Sequence, residues 1–392
     1  VKKVTDKVTF CHGATIDTRL IQTPMLTNSG KDEKATQDTI DYYNSRSQSA
    51  GAVIVEYTSV SPNGGPSRSW ARNREQLAIY NDDFKPGLAK IAKALKKDGN
   101  KAILQLVHSG REAKYRHTLG GQVEVPSDID FPWIDYPLHE LTEDEVWQIV
   151  KDFGAATKRA IDCGFDGVEI HGANHYLLQE FFSKYSNRRT DYWGGSLKKR
   201  MNFAKEVSKE VMAVVKDYAP KDFIVGYRIS PEEIHGENVG YTWHESTQLV
   251  DMLTTNFDFD YIHLSLLDYK QKPTDSNKTL AELLGEHING ETLEVVAGGI
   301  RTEEQMEDAL NYMDLIGIGR ATLMDNHIAK KIKENKGEEI YHCFTDETLK
   351  ELHLPAGLIT FLANLPENMK LPGTDVLLKH VETKLGYAET HE

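Results

Sequence analysis

A chain of 392 residues, 39 % hydrophobic and 27 % charged, has the composition of a soluble globular protein, and no apolar run approaches the ~20 residues that cross a bilayer. Its 46 basic and 60 acidic residues leave a net charge of −14, which repels polyanions, and no basic stripe with interleaved aromatics offsets it, so nucleic acid and membrane are both excluded as expected partners. Cys11, Cys163 and Cys343 lie far apart, fit reduced thiols and cannot supply the four thiolates of an iron–sulfur cluster; with no apolar leader near Val1, the expected location is cytoplasmic.

Short β-branched runs read as strands at 20–25, 52–57, 102–107, 166–171, 223–229, 259–264, 293–298 and 314–319. Amphipathic stretches such as 82–100 and 201–219 lie between them. Alternation of helices with continuously apolar strands means a parallel sheet covered by helices, and eight units predict an α/β fold closed as a (β/α)8 barrel over residues 1–334. Residues 64–70 and 119–137 read as long surface loops after the second and third strands, expected to wall a pocket. From 335 to 392 the chain is helical in period but broken by Pro355, Pro366 and Pro372, which predicts a helical extension packed on the barrel.

Polar residues gather at strand ends: Gln105, His171, Arg228, Gly298 with Gly299, and Gly319 with Arg320. Barrel enzymes build their active sites at the C-terminal ends of the strands, so these positions are the candidate site. Glycine-rich turns after strands seven and eight can cradle a phosphate with their backbone N–H groups, with the Arg320 cation beside them. No G-x-G-x-x-G follows an early strand, which favours a mononucleotide phosphate over a tightly held dinucleotide. Arg228 offers a fixed positive charge to an electron-rich ring, and Gln105 offers both donor and acceptor to an imide edge; a flavin makes those demands.

The segments "TPMLTNSG", "ILQLVHSGR", "VEIHGANHYLLQEFFSKYSNRRTDYWGGS", "GYRIS", "AGGI" and "IGIGR" resemble, in order, the successive motifs of the old yellow enzyme family of FMN-dependent oxidoreductases. The likeness spans about residues 10–330 and is most specific from His171 to Ser196. It implies FMN as cofactor and NADH or NADPH as transient hydride donor. It also implies Gln105 at the flavin pyrimidine edge, Arg228 near N1 and the C2 carbonyl, Gly298, Gly299, Gly319 and Arg320 on the phosphate, and Pro24, Met25 and Ser59 in backbone or van der Waals contact.

His171 and Asn174 can both donate to one carbonyl oxygen, which leaves the carbon β to it electron-poor, and Tyr176 can then protonate the α-carbon. This is the ene-reductase chemistry that the resemblance implies, with an activated alkene as substrate. An oxidase or quinone reductase on the same flavin site, and a flavin-binding protein without turnover, are the alternatives. A plainer reading of the motif has His171 closing a strand and Asn174 capping a helix while Tyr176 packs. A metal held by His171 and His175 on one helix face, with Glu180 beyond, lacks an H-E-x-x-H pattern, and no metal is expected. In "SNRRTDYWGGS", Asp191 is expected to pair with Arg188 and Arg189, and Gly194–Gly195 to form a tight turn. Homo-oligomerisation is left open. The chain departs from the family at Leu26, where members commonly carry Thr or Cys that donates to the flavin C4 carbonyl; Thr27 is a candidate substitute if the strand end is shifted, and Asn28 stands where one subgroup has Tyr.

Overall fold

The eight runs pair in parallel and close on themselves. The structure is a computed structural model that describes residues 1–70 and 74–381. Its barrel strands are β1 (Leu20–Gln22), β2 (Ala52–Ser59), β3 (Lys101–Val107), β4 (Gly167–Gly172), β5 (Ile224–Ile229), β6 (Tyr261–Ser265), β7 (Leu293–Ala297) and β8 (Leu315–Ile318), β8 pairing with β1. β1 is shorter than the sequence suggests: it ends at Gln22, and Pro24, with no N–H, cannot extend the ladder.

Alternation along each strand divides the core in two. Val53, Leu104, Val168, Val225, Ile262 and Ile316 pack outward with the helices. Ile54, Ile103, Ile224, Tyr261, Val295 and Leu315 fill the lower barrel, plugged from below by the hairpin of Val8–Thr9 and Thr15–Ile16. Gly226 makes room for this layer, because a Cβ there would collide with the Tyr261 ring. The same parity turns Gln105, Glu169, His171, Arg228 and His263 inward above the apolar floor.

The covering helices form where sequence and caps agree. α1 (Gln37–Asn44) opens with a Thr36–Thr39 capping box, and α2 (Lys85–Lys96) buries Leu88, Ile91, Ala92 and Leu95 at helical spacing. α3 (Glu143–Asp162) starts on a Thr142–Glu145 capping box with three acidic residues in its first turn, matching the N-terminal end of the helix dipole. α4 (Leu177–Phe182) follows β4, and α5 (Asn202–Tyr218) lies beside α3. After β8 come α6 (Arg320–Met324) and α7 (Ile328–Lys333).

Beyond α7 the described chain forms helices α8 (Leu349–Leu352), α9 (Ala356–Ala363), N-capped by Pro355, and α10 (Thr374–Leu378), while residues 382–392 of the expected extension lie outside the described residues. This segment is fastened to the barrel: the buried Arg46 guanidinium donates to Leu352 O at 2.8 Å, and Asn326 Nδ2 to Glu351 O at 2.9 Å. α9 touches the chain after β1 so closely that a Cβ at Gly357 would collide with the carbonyl oxygen of Asn28. Gly357→Ala is therefore expected to destabilise the fold by about 1–3 kcal/mol, as overpacking against unyielding backbone does. A denaturation midpoint equal to that of the unaltered chain would show that this seam is loose.

Candidate active site

β4 delivers His171 into the barrel mouth. The ring is buried, and its Nδ1 accepts the Ala173 N–H at 3.3 Å, which puts the proton on Nε2. Nε2 is buried and has no partner among the described residues. Burial, followed by the Arg228 charge, holds the imidazole pKa well below its usual value, so His171 is a neutral donor near neutral pH.

Past β4 the chain turns through two consecutive left-handed residues, Asn174 (φ 56°) and His175 (φ 69°), before α4 begins at Leu177. That turn overturns two readings of the sequence. His171 and His175 share no helix face, because one lies on a strand and the other in the turn; and the residue at the helix N-cap is Tyr176, not Asn174. Asn174 sits on the exposed rim, its N–H bonded to Ser230 Oγ and its Oδ1 accepting from Ser265 Oγ at 2.8 Å, with Arg228 Nη2 donating to that same Ser265. Tyr176 lies with its ring centroid 5.0 Å from His171 and 5.0 Å from Tyr57.

His175 instead faces Glu233 and His235 of the hairpin after β5, the three ligand atoms lying within 4.8 Å of one another. Gln179 Nε2 donates to two of the three, Glu233 Oε1 at 2.9 Å and His175 Nδ1 at 3.1 Å, and so already engages atoms that a cation would need. Glu180 belongs elsewhere: it is fully buried, accepts the Arg111 N–H, and burial pushes its pKa well above the ordinary carboxylate value. In the following loop Arg189 pairs with Asp191 at 2.7 Å and Gly195 turns at φ 111°, but Arg188 donates to the Lys184 and Tyr185 carbonyls and makes no ion pair among the described residues.

Below His171, the sequence conceals a buried network. Glu169 accepts from Gln105 Nε2 at 2.7 Å and from His263 Nδ1 at 2.7 Å, and none of the three side chains is appreciably exposed. Burial opposes ionisation of Glu169, but His263, Arg228 and Gln105 outweigh it and keep the carboxylate pKa low; the His263 pKa is itself held down by burial, so the pair is best described as carboxylate and neutral imidazole. The network fixes the Gln105 amide, with its NH2 on Glu169 and its carbonyl turned away.

Arg228 lines a cavity of ≈ 240 Å³ with Thr23, Pro24, Met25, Gly298 and Gly319, among others. Arg301 and Arg320 line it too, and neither guanidinium is ion-paired among the described residues. The Arg301 pKa is lowered first by burial and then by the Arg320 charge, as expected of two cations awaiting an anion. Gly299 sits at φ 71°, and a Cβ at Gly298 would stand 2.7 Å from the Tyr269 nitrogen, so both turns need glycine. The N–H groups of Gly299, Ile300 and Gly319 find no acceptor among the described residues. The unpartnered Arg228 Nε, the two free guanidiniums and this glycine cradle fit an aromatic ring carrying a phosphate tail, which is the shape and charge of FMN.

Not every candidate reaches the cavity. Ser59 is fully buried, its N–H bonded to Leu77, its carbonyl to Ile79 and its hydroxyl to Ser61 O, which leaves it only van der Waals contact to offer. Leu26 is half-buried on the chain leaving β1. Its neighbour Thr27 is fully buried with its hydroxyl on Glu56 Oε1 at 2.8 Å and beside Ser29, so Thr27 offers no replacement donor. Asn28 is buried at φ 47° beneath α9.

A (β/α)8 barrel with glycine turns and two arginines at one cavity after β7 and β8, and a neutral imidazole in register with a buried arginine, fits the class of flavin-dependent oxidoreductases. The pattern of the NADH:flavin oxidoreductase / NADH oxidase family matches residues 8–339, and the chain belongs to that family. It is 37 % identical over 371 residues to the probable NADH-dependent flavin oxidoreductase YqiG of Bacillus subtilis, covering 93 % of this chain and 96 % of that one. It is 36 % identical to the NADH:acrylate oxidoreductase of Vibrio harveyi, where 84 % of this chain spans only 33 % of the relative. The solved old yellow enzyme homologue from Zymomonas mobilis shares the fold, with a TM-score of 0.72 and 23 % identity over 90 % of this chain and 99 % of that one. The protein is thus an FMN-dependent enzyme that draws electrons from a reduced nicotinamide.

Proposed function

We propose that this enzyme reduces an activated alkene, an α,β-unsaturated carbonyl compound, by alternating use of one pocket for the nicotinamide and the alkene. The observation that carries the reading is the buried, neutral His171, whose Nε2–H has no partner among the described residues and whose ring centroid lies 5.0 Å from that of Tyr176. FMN, when bound, would supply the two-electron chemistry that links nicotinamide oxidation to alkene reduction. Gln105 and Arg228 hold the ring system, and Gly298, Gly299, Arg301, Gly319 and Arg320 hold the phosphate. His171 donates to the substrate carbonyl oxygen. Ser265 takes Asn174 Oδ1 and so leaves the Asn174 amide N–H groups as the second donor. Tyr176 gives its proton to the α-carbon.

The purified protein is expected to be yellow, to bleach anaerobically with NADH or NADPH, and to regain its colour on addition of an enone. Recovery of colour with oxygen or a quinone but not with the enone would assign it to the oxidase and quinone-reductase reading. Residues 335–381 belong to the same unit on this reading, because α9 holds the chain that carries Leu26.

Leu26 tunes the redox balance by what it lacks. A hydroxyl there would donate to the flavin and favour the electron-rich reduced form, and Thr27 is already engaged by Glu56. Leu26→Thr is expected to raise the midpoint potential by about 20–65 mV, the equivalent of one hydrogen bond of about 1–3 kcal/mol in a two-electron couple. A potentiometric titration with no rise, the flavin still bound, would mean that Leu26 does not face the ring.

A further inference from the structure

β2 does not run true. Val55 pairs with Leu104 and Thr58 with Leu106, so Glu56 and Tyr57 together oppose the single residue Gln105. This is a β-bulge, a device that re-aims side chains beside active sites. Val53 and Val55 pack outward, and unbroken alternation would send residue 57 outward with them. The bulge brings Tyr57 to the barrel mouth instead, its ring centroid 6.0 Å from His171 and 5.0 Å from Tyr176. Tyr176 Oη donates to Tyr57 Oη at 3.3 Å, and Tyr57 Oη is also hydrogen-bonded to Oγ of the buried Ser67, next in sequence to the exposed Arg68.

We propose that Tyr57 is a positioning residue that stabilises and reprotonates Tyr176 through the hydroxyl chain Ser67–Tyr57–Tyr176. The proposal rests on Tyr176 being the proton donor to the alkene. When Tyr176 protonates the α-carbon, its O–H bond breaks, a C–H bond forms, and a phenolate is left in a part-buried place. As that charge develops, the Tyr57 O–H turns to donate to the Tyr176 oxygen and its proton moves in the same step. Proton transfer from Tyr57 to Tyr176, from Ser67 to Tyr57 and from solvent water to Ser67 restores the chain, with one proton drawn from water and no change in electron count. Burial raises the Tyr176 pKa and the Tyr57 bond works against that rise, as this role requires.

The test is anaerobic stopped-flow on the holoenzyme, following reoxidation of the NADH-reduced enzyme by 2-cyclohexen-1-one in native, Tyr57→Phe, Tyr176→Phe, doubly substituted and Ser67→Ala proteins. Phe keeps the ring and removes only the hydroxyl. Tyr57→Phe is expected to slow reoxidation about 10-fold, as loss of one hydrogen bond to a charged group does, with a smaller effect from Ser67→Ala. In the Tyr176→Phe background it should slow nothing further. Rates in H2O–D2O mixtures should bow with deuterium fraction in the native enzyme, as several protons in flight require, and become linear in Tyr57→Phe. An unchanged rate and an unchanged bowed plot in Tyr57→Phe would overturn the relay while leaving Tyr176 in place, as would equal slowing in both backgrounds. A Tyr176→Phe enzyme that reoxidises at the native rate would instead overturn the donor assignment, and the relay with it.

Discussion

Tyr176→Phe is expected to slow the half-reaction with the alkene by about 10²–10⁴-fold, the usual contribution of a positioned general acid, and to leave the half-reaction with NADH nearly as it was. The asymmetry follows from the chemistry: only the alkene needs a proton, and only the hydroxyl is lost. On the proposed mechanism His171 contributes differently, through a hydrogen bond to the substrate oxygen in both ground and transition states. Because burial and the Arg228 charge hold its pKa well below the ordinary value, the neutral imidazole prevails above that lowered value. The alkene half-reaction should therefore show no His171-dependent change as pH falls from about 8 to about 6, a range in which an unperturbed imidazole with pKa of about 6.5 would gain a proton and become a stronger, charged donor. Single-turnover rates with each partner, measured across that range, decide both points; equal slowing of the two half-reactions in Tyr176→Phe would remove Tyr176 as the acid.

Removal of the two cavity arginines is the second large effect expected. Arg320→Ala should weaken FMN binding about 10–100-fold, the equivalent of one charge-assisted hydrogen bond, and Arg301→Ala should do likewise. Together they should lower affinity by about 10²–10⁴-fold if their contributions add, less if one guanidinium relaxes to fill the other's place. Neither arginine is ion-paired among the described residues, so their removal strands no buried partner, and the fold should survive with the cofactor lost. Flavin fluorescence, quenched on binding to apoprotein, gives the dissociation constant directly. Native affinity in the double variant would place the phosphate elsewhere.

The barrel was legible in the sequence because burial on both faces forces each strand into a continuous apolar run, and the alternation with amphipathic helices survives any detail of packing. Strand ends were legible too, and with them His171, Arg228 and the glycine turns, since polar residues at the end of an apolar run stand out. Glu169 and His263 did not stand out. They sit inside "DGVEIH" and "FDYIHL", where a single inward polar residue reads as noise, and only ring closure shows that they meet across β5. Arg301 follows a glycine turn with nothing in its local sequence to set it apart, and only the closed barrel brings it and Arg320 into the same cavity. Neither the engagement of Thr27 by Glu56 nor the position of Tyr57 could be read from local pattern, because both depend on a bulge whose register is set by the neighbouring strand. The sequence by itself determined which elements form and which chemistry their ends can carry, because burial and backbone propensity act over a few residues at a time. Tertiary structure alone decided which polar groups satisfy one another and which are left free for a ligand, because a buried hydrogen bond must be completed by whatever residue closure of the barrel brings within about 3 Å.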